Sequence, residues 1–383
     1  MPVELLAPAQ NFKALRAAAP YAHAVYFGVE MLNMRMRAEN FKSTDLPDIA
    51  GFCHDRGVKA YLATNVILYN YEIPTAESLI GAARDAGIDA TIVQDIGAIK
   101  ICKDAGMPFH ISTQASISNI RAAQFYEDLG AERLILAREL SLTQIAEIKQ
   151  NLTTSQVECF VHGAQCTSIS GRCYFSVDIC GTPENSANRG MCIQPCRRRW
   201  TITDEEGNAF DYDGEFFLNT KDVCMIEYIP NLVEAGIDAF KIEGRMREAD
   251  YVETVTRCYR EALDAYYTGE YTVERVDVWL SQLKLAFNRG FSTGFYFQRP
   301  TDRDISKVRG NVSPIHREEI GLVMSYFPAS GAAKIQVTHG QLKVGDEITV
   351  DGVNTDTHFK QIIQEIKFGP KIVDYTPLVK SSD

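Results

Sequence analysis

The sequence predicts a (β/α)8 TIM-like barrel carrying a cysteine-rich insertion, followed by a small C-terminal antiparallel β-barrel. Three observations lead there. Eight short apolar runs alternate with helical segments through roughly the first 250 residues, the usual span of such a barrel. The helical segments repeatedly close on glycine, and from Ile320 the hydrophobic period changes to alternation.

The first strand is residues 5–7, and a helix through Phe12 and Leu15 separates it from the second, residues 24–27. Further strands fall at 60–63, 91–93, 109–111, 134–136 and 159–161, and the eighth at 239–242. Gly57, Gly87, Gly106 and Gly130 lie where helix C-caps belong, and Gly236 ends the helix before the eighth strand. An open doubly wound sheet is the alternative, but no Gly-rich dinucleotide fingerprint follows the first strand. Residues 248–267 read as an amphipathic helix with Tyr251, Val255, Cys258, Ala262 and Tyr266 on one stripe, so Cys258 belongs to the core, as do Cys53 and Cys102 in earlier helices. The barrel thus occupies residues 1–270 and a connection residues 271–315. Residues 316–383 form the β-barrel, whose expected role is either to bind RNA or a partner or to pack against the large barrel.

At 45% hydrophobic and 23% charged residues the composition is that of an ordinary soluble protein. The first residues show no basic-then-apolar leader and no apolar stretch is long enough to span a bilayer, so a cytoplasmic protein with reduced cysteines and no membrane role is expected. A net charge of -11 argues against indiscriminate binding to nucleic acid. The local balance differs: residues 185–200 hold Arg189, Arg197, Arg198 and Arg199 with no acid, a place for a shaped RNA or an anionic small molecule.

Residues 158–200 hold six of the ten cysteines. Cys166 and Cys173 stand seven apart and Cys192 and Cys196 four apart, the two pairs separated by a polar loop. Their neighbours are Gly, Arg, Asn and Gln, unlike a packed core, so thiolate ligation of zinc or of an iron–sulfur cluster is the expected chemistry. Cys192 and Cys196 have the first spacing of a radical SAM motif, but position 199 is Arg where the third ligand belongs. There is no HExxH and no GxSxG, the usual marks of a zinc or serine peptidase.

The run through VHGAQC and SGRCYFS, with ELLAPAQN at the start, HISTQAS, NRGMCIQPCRRRW, LNTKD and FKIEGRM, is similar to the signatures of the collagenase-like peptidase family across most of the chain. Gln10 departs from the family's LAPAGN. The resemblance implies a 4Fe-4S cluster on Cys166, Cys173, Cys192 and Cys196, with Cys224, expected in a helix after LNTKD, a weaker substitute for the last. It also implies an oxygen-independent hydroxylase, most simply one converting the wobble uridine of tRNA to 5-hydroxyuridine with prephenate as oxygen donor, alongside an electron donor or partner subunit. Peptidase activity, or hydroxylation of ribosomal RNA or a ubiquinone precursor, are the alternatives.

Barrel active sites lie at the carboxyl ends of the strands, which orders the remaining candidates. His162, just past the seventh strand, and Glu243, past the eighth, are the expected catalytic residues. A dicarboxylate favours guanidinium clamps, so Arg37, Arg189 and Arg245, with His110 and Gln114 on the fifth strand, are the expected substrate-binding residues. Alternation puts Glu243 and Arg245 on one side of their strand, where they could also pair with each other.

Overall fold

The computed structural model describes residues 2–210, 216–315, 317–352, 355 and 357–379. The chain forms two compact units, Met1–Pro314 and Ile315–Asp383.

In the first unit, eight parallel strands close on themselves: β1 (Glu4–Pro8), β2 (Ala24–Phe27), β3 (Lys59–Thr64), β4 (Ala90–Val93), β5 (Phe109–Ile111), β6 (Arg133–Ile135), β7 (Gln156–Ala164) and, after the short β8 (Ile202–Thr203), β9 (Ala209–Phe210) and β10 (Asp222–Cys224), β11 (Ala239–Ile242). β11 pairs with both β1 and β7, which makes the barrel a closed ring. The eight strands fall where the apolar runs predict them. Around them lie α1 (Phe12–Ala18), α2 (Leu46–His54), α3 (Ile73–Asp85), α4 (Ile96–Ala105), α5 (Ile120–Asp128), α6 (Leu142–Gln150), then, beyond α7 (Phe175–Cys180) of the cysteine stretch, α8 (Ile229–Glu234), α9 (Ala249–Thr268) and α10 (Val273–Leu285).

Local chemistry starts and stops these helices. Asn11, Asp95, Asn119 and Ser141 cap α1, α4, α5 and α6, each accepting a hydrogen bond from a first-turn amide that has no partner inside the helix. Gly106 ends α4 at φ 66°, a left-handed conformation that a Cβ would oppose.

Strand alternation sorts side chains into two cores. Leu6, Ala24, Tyr26, Tyr61, Ala90, Ile92, Ile135 and Phe160 fill the barrel, while Leu5, Ala7, Val25, Leu62 and Val161 face the helices. One end of the interior is charged. Glu158, fully buried, accepts from Arg133 at 3.1 Å and from Lys241 at 2.7 Å, and Arg133 also reaches Glu4 at 2.6 Å. Each buried charge has an opposite partner, the condition under which such groups are tolerated inside a protein.

Cys224 lies in strand β10 rather than in a helix. The extended β7 continues past the barrel rim, and Asp222–Cys224 pairs antiparallel with it, Cys224 opposite His162, while β12 (Phe291–Ser292) joins β10 on its other edge. Backbone pairing with β7 satisfies a three-residue segment too short to be a stable helix.

In the second unit the alternation from Ile320 is realised as three antiparallel hairpins: β13 (Gly321–Phe327) with β14 (Ala332–Val337), β15 (Glu347–Asp351) with β16 (His358–Ile362), and β17 (Ile366–Phe368) with β18 (Lys371–Val373). Bridges Gly340–Val379 and Lys343–Tyr375 link the turns between them, and Leu342 and Ile363 are buried at the centre.

Candidate functional site

An open pocket lies at the carboxyl ends of the barrel strands. Seven of the eight strands, or the residues just past them, line it: Tyr26 of β2, Ala63 of β3 and Asn65 just past it, Ile92 of β4, Ser112, Thr113 and Gln114 past β5, Ile135 of β6, Phe160 of β7, and Lys241, Glu243 and Arg245 in and after β11. Met34 and Arg35, in the loop after β2, complete the wall.

The pocket is cationic. Glu243 is its one carboxylate, and both Nε and Nη2 of Arg35 donate to Glu243 Oε1, at 3.2 and 3.1 Å. Burial works to raise the Glu243 carboxyl, but the charges of Arg35, Arg138 and Arg245 outweigh it and hold it below the usual range. Arg245 is buried, and its Nη1 has no hydrogen-bond partner among the described residues. Burial first, then the charge of Arg35, pushes its guanidinium down to about 10. Lys241 is likewise lowered by burial, against the pull of Glu158 below it, and its Nζ sits 4.3 Å from the centre of the Tyr26 ring. A polar side, Asn65, Ser112 and Gln114 hydrogen-bonded to one another, faces these cations. The arrangement suits an anionic ligand that also carries hydrogen-bonding groups.

The cysteine stretch adjoins this pocket. It leaves β7 at Gly163, where a Cβ would come within 2.4 Å of the Glu243 carbonyl oxygen. Gly171 packs on Gln114 and Met34, and Gly190 lies so close to the 33–36 backbone that a Cβ would meet the Asn33 carbonyl oxygen at 2.4 Å. Arg189 is bound to the Glu72 carboxylate and the Ile67 carbonyl. Arg197 donates to Gln165 O at 2.5 Å and to Asn219 Oδ1 and Thr220 Oγ1 at 3.1 and 2.9 Å, pinning the residue before Cys166.

Cys166, Cys173, Cys192 and Cys196 are all free thiols with at least partial solvent access. Burial first, then the charges of Cys166 and Cys173, raise the Cys192 thiol. Cys196 is pushed up to about 11 by burial, with Cys166, Cys192 and Cys173 adding to it. Cys166 and Cys173 come from one segment and Cys192 and Cys196 from another, and a cationic centre held by the four would favour their thiolate forms. Gln194 N donates to Cys192 Sγ at 3.3 Å. Among the described residues, no three His, Cys, Asp or Glu side chains stand at the separations of a closed metal site. The donor set, all thiols with an amide donor and nearby guanidinium charge, fits an iron–sulfur cluster.

Several expected site residues lie elsewhere. Arg37 is exposed on the loop surface, and Arg35, two residues earlier, occupies the pocket. Arg189 is engaged in fastening the cysteine stretch, not in the pocket wall. His110 faces the barrel interior below the pocket, against Tyr61 at 4.6 Å, its imidazole held well below its ordinary pKa by burial. His162 is turned outward: the register shift between Lys241 and Ile242 puts an extra residue in β7, so the ring meets Tyr259 and Phe291 at 5.5 and 5.6 Å. Burial lowers it to about 3, which leaves it neutral. Gln114, Glu243 and Arg245 do line the pocket, but Glu243 pairs with Arg35 rather than with Arg245. Arg35 and Lys241 are the additions. The signal for Lys241 was present in FKIEGR, where Lys241, Glu243 and Arg245 alternate at the period of one strand face.

Comparison with known proteins gives relatives named for two different activities. The chain is 38% identical over 387 residues to an uncharacterized protease of Methanocaldococcus jannaschii, spanning 97% of this chain and 92% of the relative. It is 37% identical over 384 residues to a collagenase of Porphyromonas gingivalis, spanning 97% and 91%, and 32% identical over 386 residues to a tRNA hydroxylation protein of Bacillus subtilis, spanning 99% and 86%. The family model for peptidase family U32 matches residues 10–306, which take in seven of the eight barrel strands and the cysteine stretch, and the chain belongs to that family.

Proposed function

We propose that this protein hydroxylates RNA without dioxygen, acting on the wobble uridine of tRNA to give 5-hydroxyuridine, with prephenate, a dicarboxylate, as oxygen donor. The observation that carries this reading is the juxtaposition of a cationic pocket with four free thiols at one barrel mouth. Similarity to a tRNA hydroxylation protein supports it. Cys166, Cys173, Cys192 and Cys196 would hold a 4Fe-4S cluster, which supplies one-electron transfer when bound. Arg245 and Lys241 would clamp the two carboxylates, and Asn65, Ser112 and Gln114 would orient the donor by its polar groups. Arg35 would keep Glu243 ionised beside the reacting centre. The reading carries a cytoplasmic location with it, since that is where tRNA is.

The peptidase reading has the relatives' names behind it. The geometry weighs against it: His162, the natural base for a Cys166 nucleophile, is turned into a ring cluster on the outer side of β7, where burial makes it too weak a base to take a thiol proton. Nucleoside analysis of tRNA from cells with and without the gene tests the proposal. Loss of 5-hydroxyuridine on deletion is expected. Unaltered nucleosides, with peptide cleavage by the purified chain, would sink it.

A further inference from the structure

Beside the pocket, the loop after β3 raises two aromatic rings into solvent. Tyr69 and Tyr71 are 50% and 77% exposed, and their rings stack at a centroid distance of 5.7 Å with 19° between planes. Large aromatic rings left this exposed forgo burial worth a few kcal/mol each. They are not on a loose loop. Glu72 accepts a hydrogen bond from Tyr69 N at 2.9 Å and is itself held by Arg189, whose guanidinium lies 5.2 Å from the Tyr69 ring centre. Arg189 thus joins the tyrosine turn to the cysteine stretch, and its neighbour Gly190 abuts the Asn33–Met34 backbone of the pocket wall. On the other side, Asn65 of the pocket is four residues from Tyr69 in the chain.

One guanidinium, that of Arg189, lies against this pair and is itself paired with Glu72. Residues 166–200 carry Arg172, Arg189, Arg197, Arg198 and Arg199 against Asp178 and Glu184, in a chain whose net charge is -11. A preorganised, parallel aromatic pair beside a guanidinium is a surface for unstacked nucleobases, which offer a flat π-face above a phosphate backbone. We propose that Tyr69 and Tyr71 form a stacking platform for a base of single-stranded RNA flanking the nucleotide that enters the pocket. This rests on the RNA reading above and adds where the RNA is gripped.

The test uses the full chain and a fluorescein-labelled single-stranded oligouridylate, followed by fluorescence anisotropy, with an abasic oligonucleotide of the same length as a second probe. The Tyr69→Ala/Tyr71→Ala double variant is expected to bind the oligouridylate roughly 10- to 100-fold more weakly, the range that loss of base stacking gives. Tyr69→Phe/Tyr71→Phe keeps the ring faces and is expected to bind within about two-fold of the parent. The abasic probe should bind all three proteins equally weakly. If the parent binds the oligonucleotide and the double alanine variant, folded by circular dichroism, binds it equally well, the platform is wrong while the RNA reading stands. If the parent binds neither oligonucleotide nor tRNA, or takes a proline-rich peptide in their place, both fall.

Discussion

Arg35 grips a single oxygen of Glu243 with two of its nitrogens, joining the loop after β2 to the end of β11 across the barrel mouth. These residues are 208 apart in sequence, so the contact exists only because the ring closes. It fixes an anion among cations and leaves Arg245 and Lys241 facing the cavity.

Breaking that pair has a predictable cost. Arg35→Ala leaves Glu243 buried at 12% side-chain exposure with Arg138 and Arg245 as remaining compensation, while Arg35 itself is 33% exposed. A loss of about 2 kcal/mol is expected, below the range for wholly buried pairs because water reaches one partner. Urea denaturation at pH 7 measures it. Because the folded Glu243 carboxyl is held low, its contribution is present above the ordinary carboxylate range and is lost as pH falls through its folded value, so Glu243→Gln should flatten the acid limb.

His162 sets a second pH dependence. Its folded pKa is lowered from 6.5 to about 3, so between these values the unfolded chain binds the extra proton and stability falls as pH falls. The neutral ring's contribution is complete above about 6.5 and is lost at roughly 1 kcal/mol per pH unit below it. His110, also lowered by burial, acts in the same direction. His162→Phe, which suits the surrounding rings, should reduce the slope of unfolding free energy against pH between 4 and 6. An unchanged slope would show that the ring is protonated in the native state.

The thiols separate by position. Cys166→Ser and Cys192→Ser should each abolish the brown colour and most of the iron of anaerobically purified protein, where the parent is expected to hold about four irons per chain. Cys224→Ser should leave both unchanged, because Cys224 is buried beside Tyr259 on the far side of β7. One zinc per chain in the parent would overturn the cluster.

Gly190 is a steric requirement of the site. At φ 76°, with the Asn33 carbonyl oxygen 2.4 Å from a built Cβ, Gly190→Ala forces the cysteine stretch off the pocket wall. Faster alkylation of Cys192 in the apoprotein is expected, with the barrel's melting temperature changed by only a few degrees. Equal alkylation rates in the two proteins would mean that the stretch does not rest on that wall.

Arg245 offers an unsatisfied buried donor to whatever fills the cavity. Arg245→Gln should raise the KM for an anionic co-substrate roughly 10- to 100-fold, the worth of one charge-assisted hydrogen bond. A change confined to kcat would place Arg245 away from the co-substrate.

The strands were legible because each is a local apolar run bounded by turn chemistry, and Gly106 marks a helix end whatever lies around it. Cys224 was misread because its strand is defined by a partner, β7, that no local pattern announces. His162 was placed at the mouth because the apolar run of the seventh strand stops before it, but β7 continues to Ala164 and a register shift against β11 turns the ring outward.

The amino-acid order by itself determined the barrel, the change of architecture near residue 315 and the thiol-rich stretch, since periodicity, glycine placement and cysteine spacing act over a few residues. Which charges share the cavity was decided only in three dimensions. Arg35 rather than Arg37 meets Glu243, Lys241 stands over Glu158, and Arg189 is consumed by Glu72. Electrostatic partners are chosen by distance through space, and ring closure brings together residues that the chain keeps far apart.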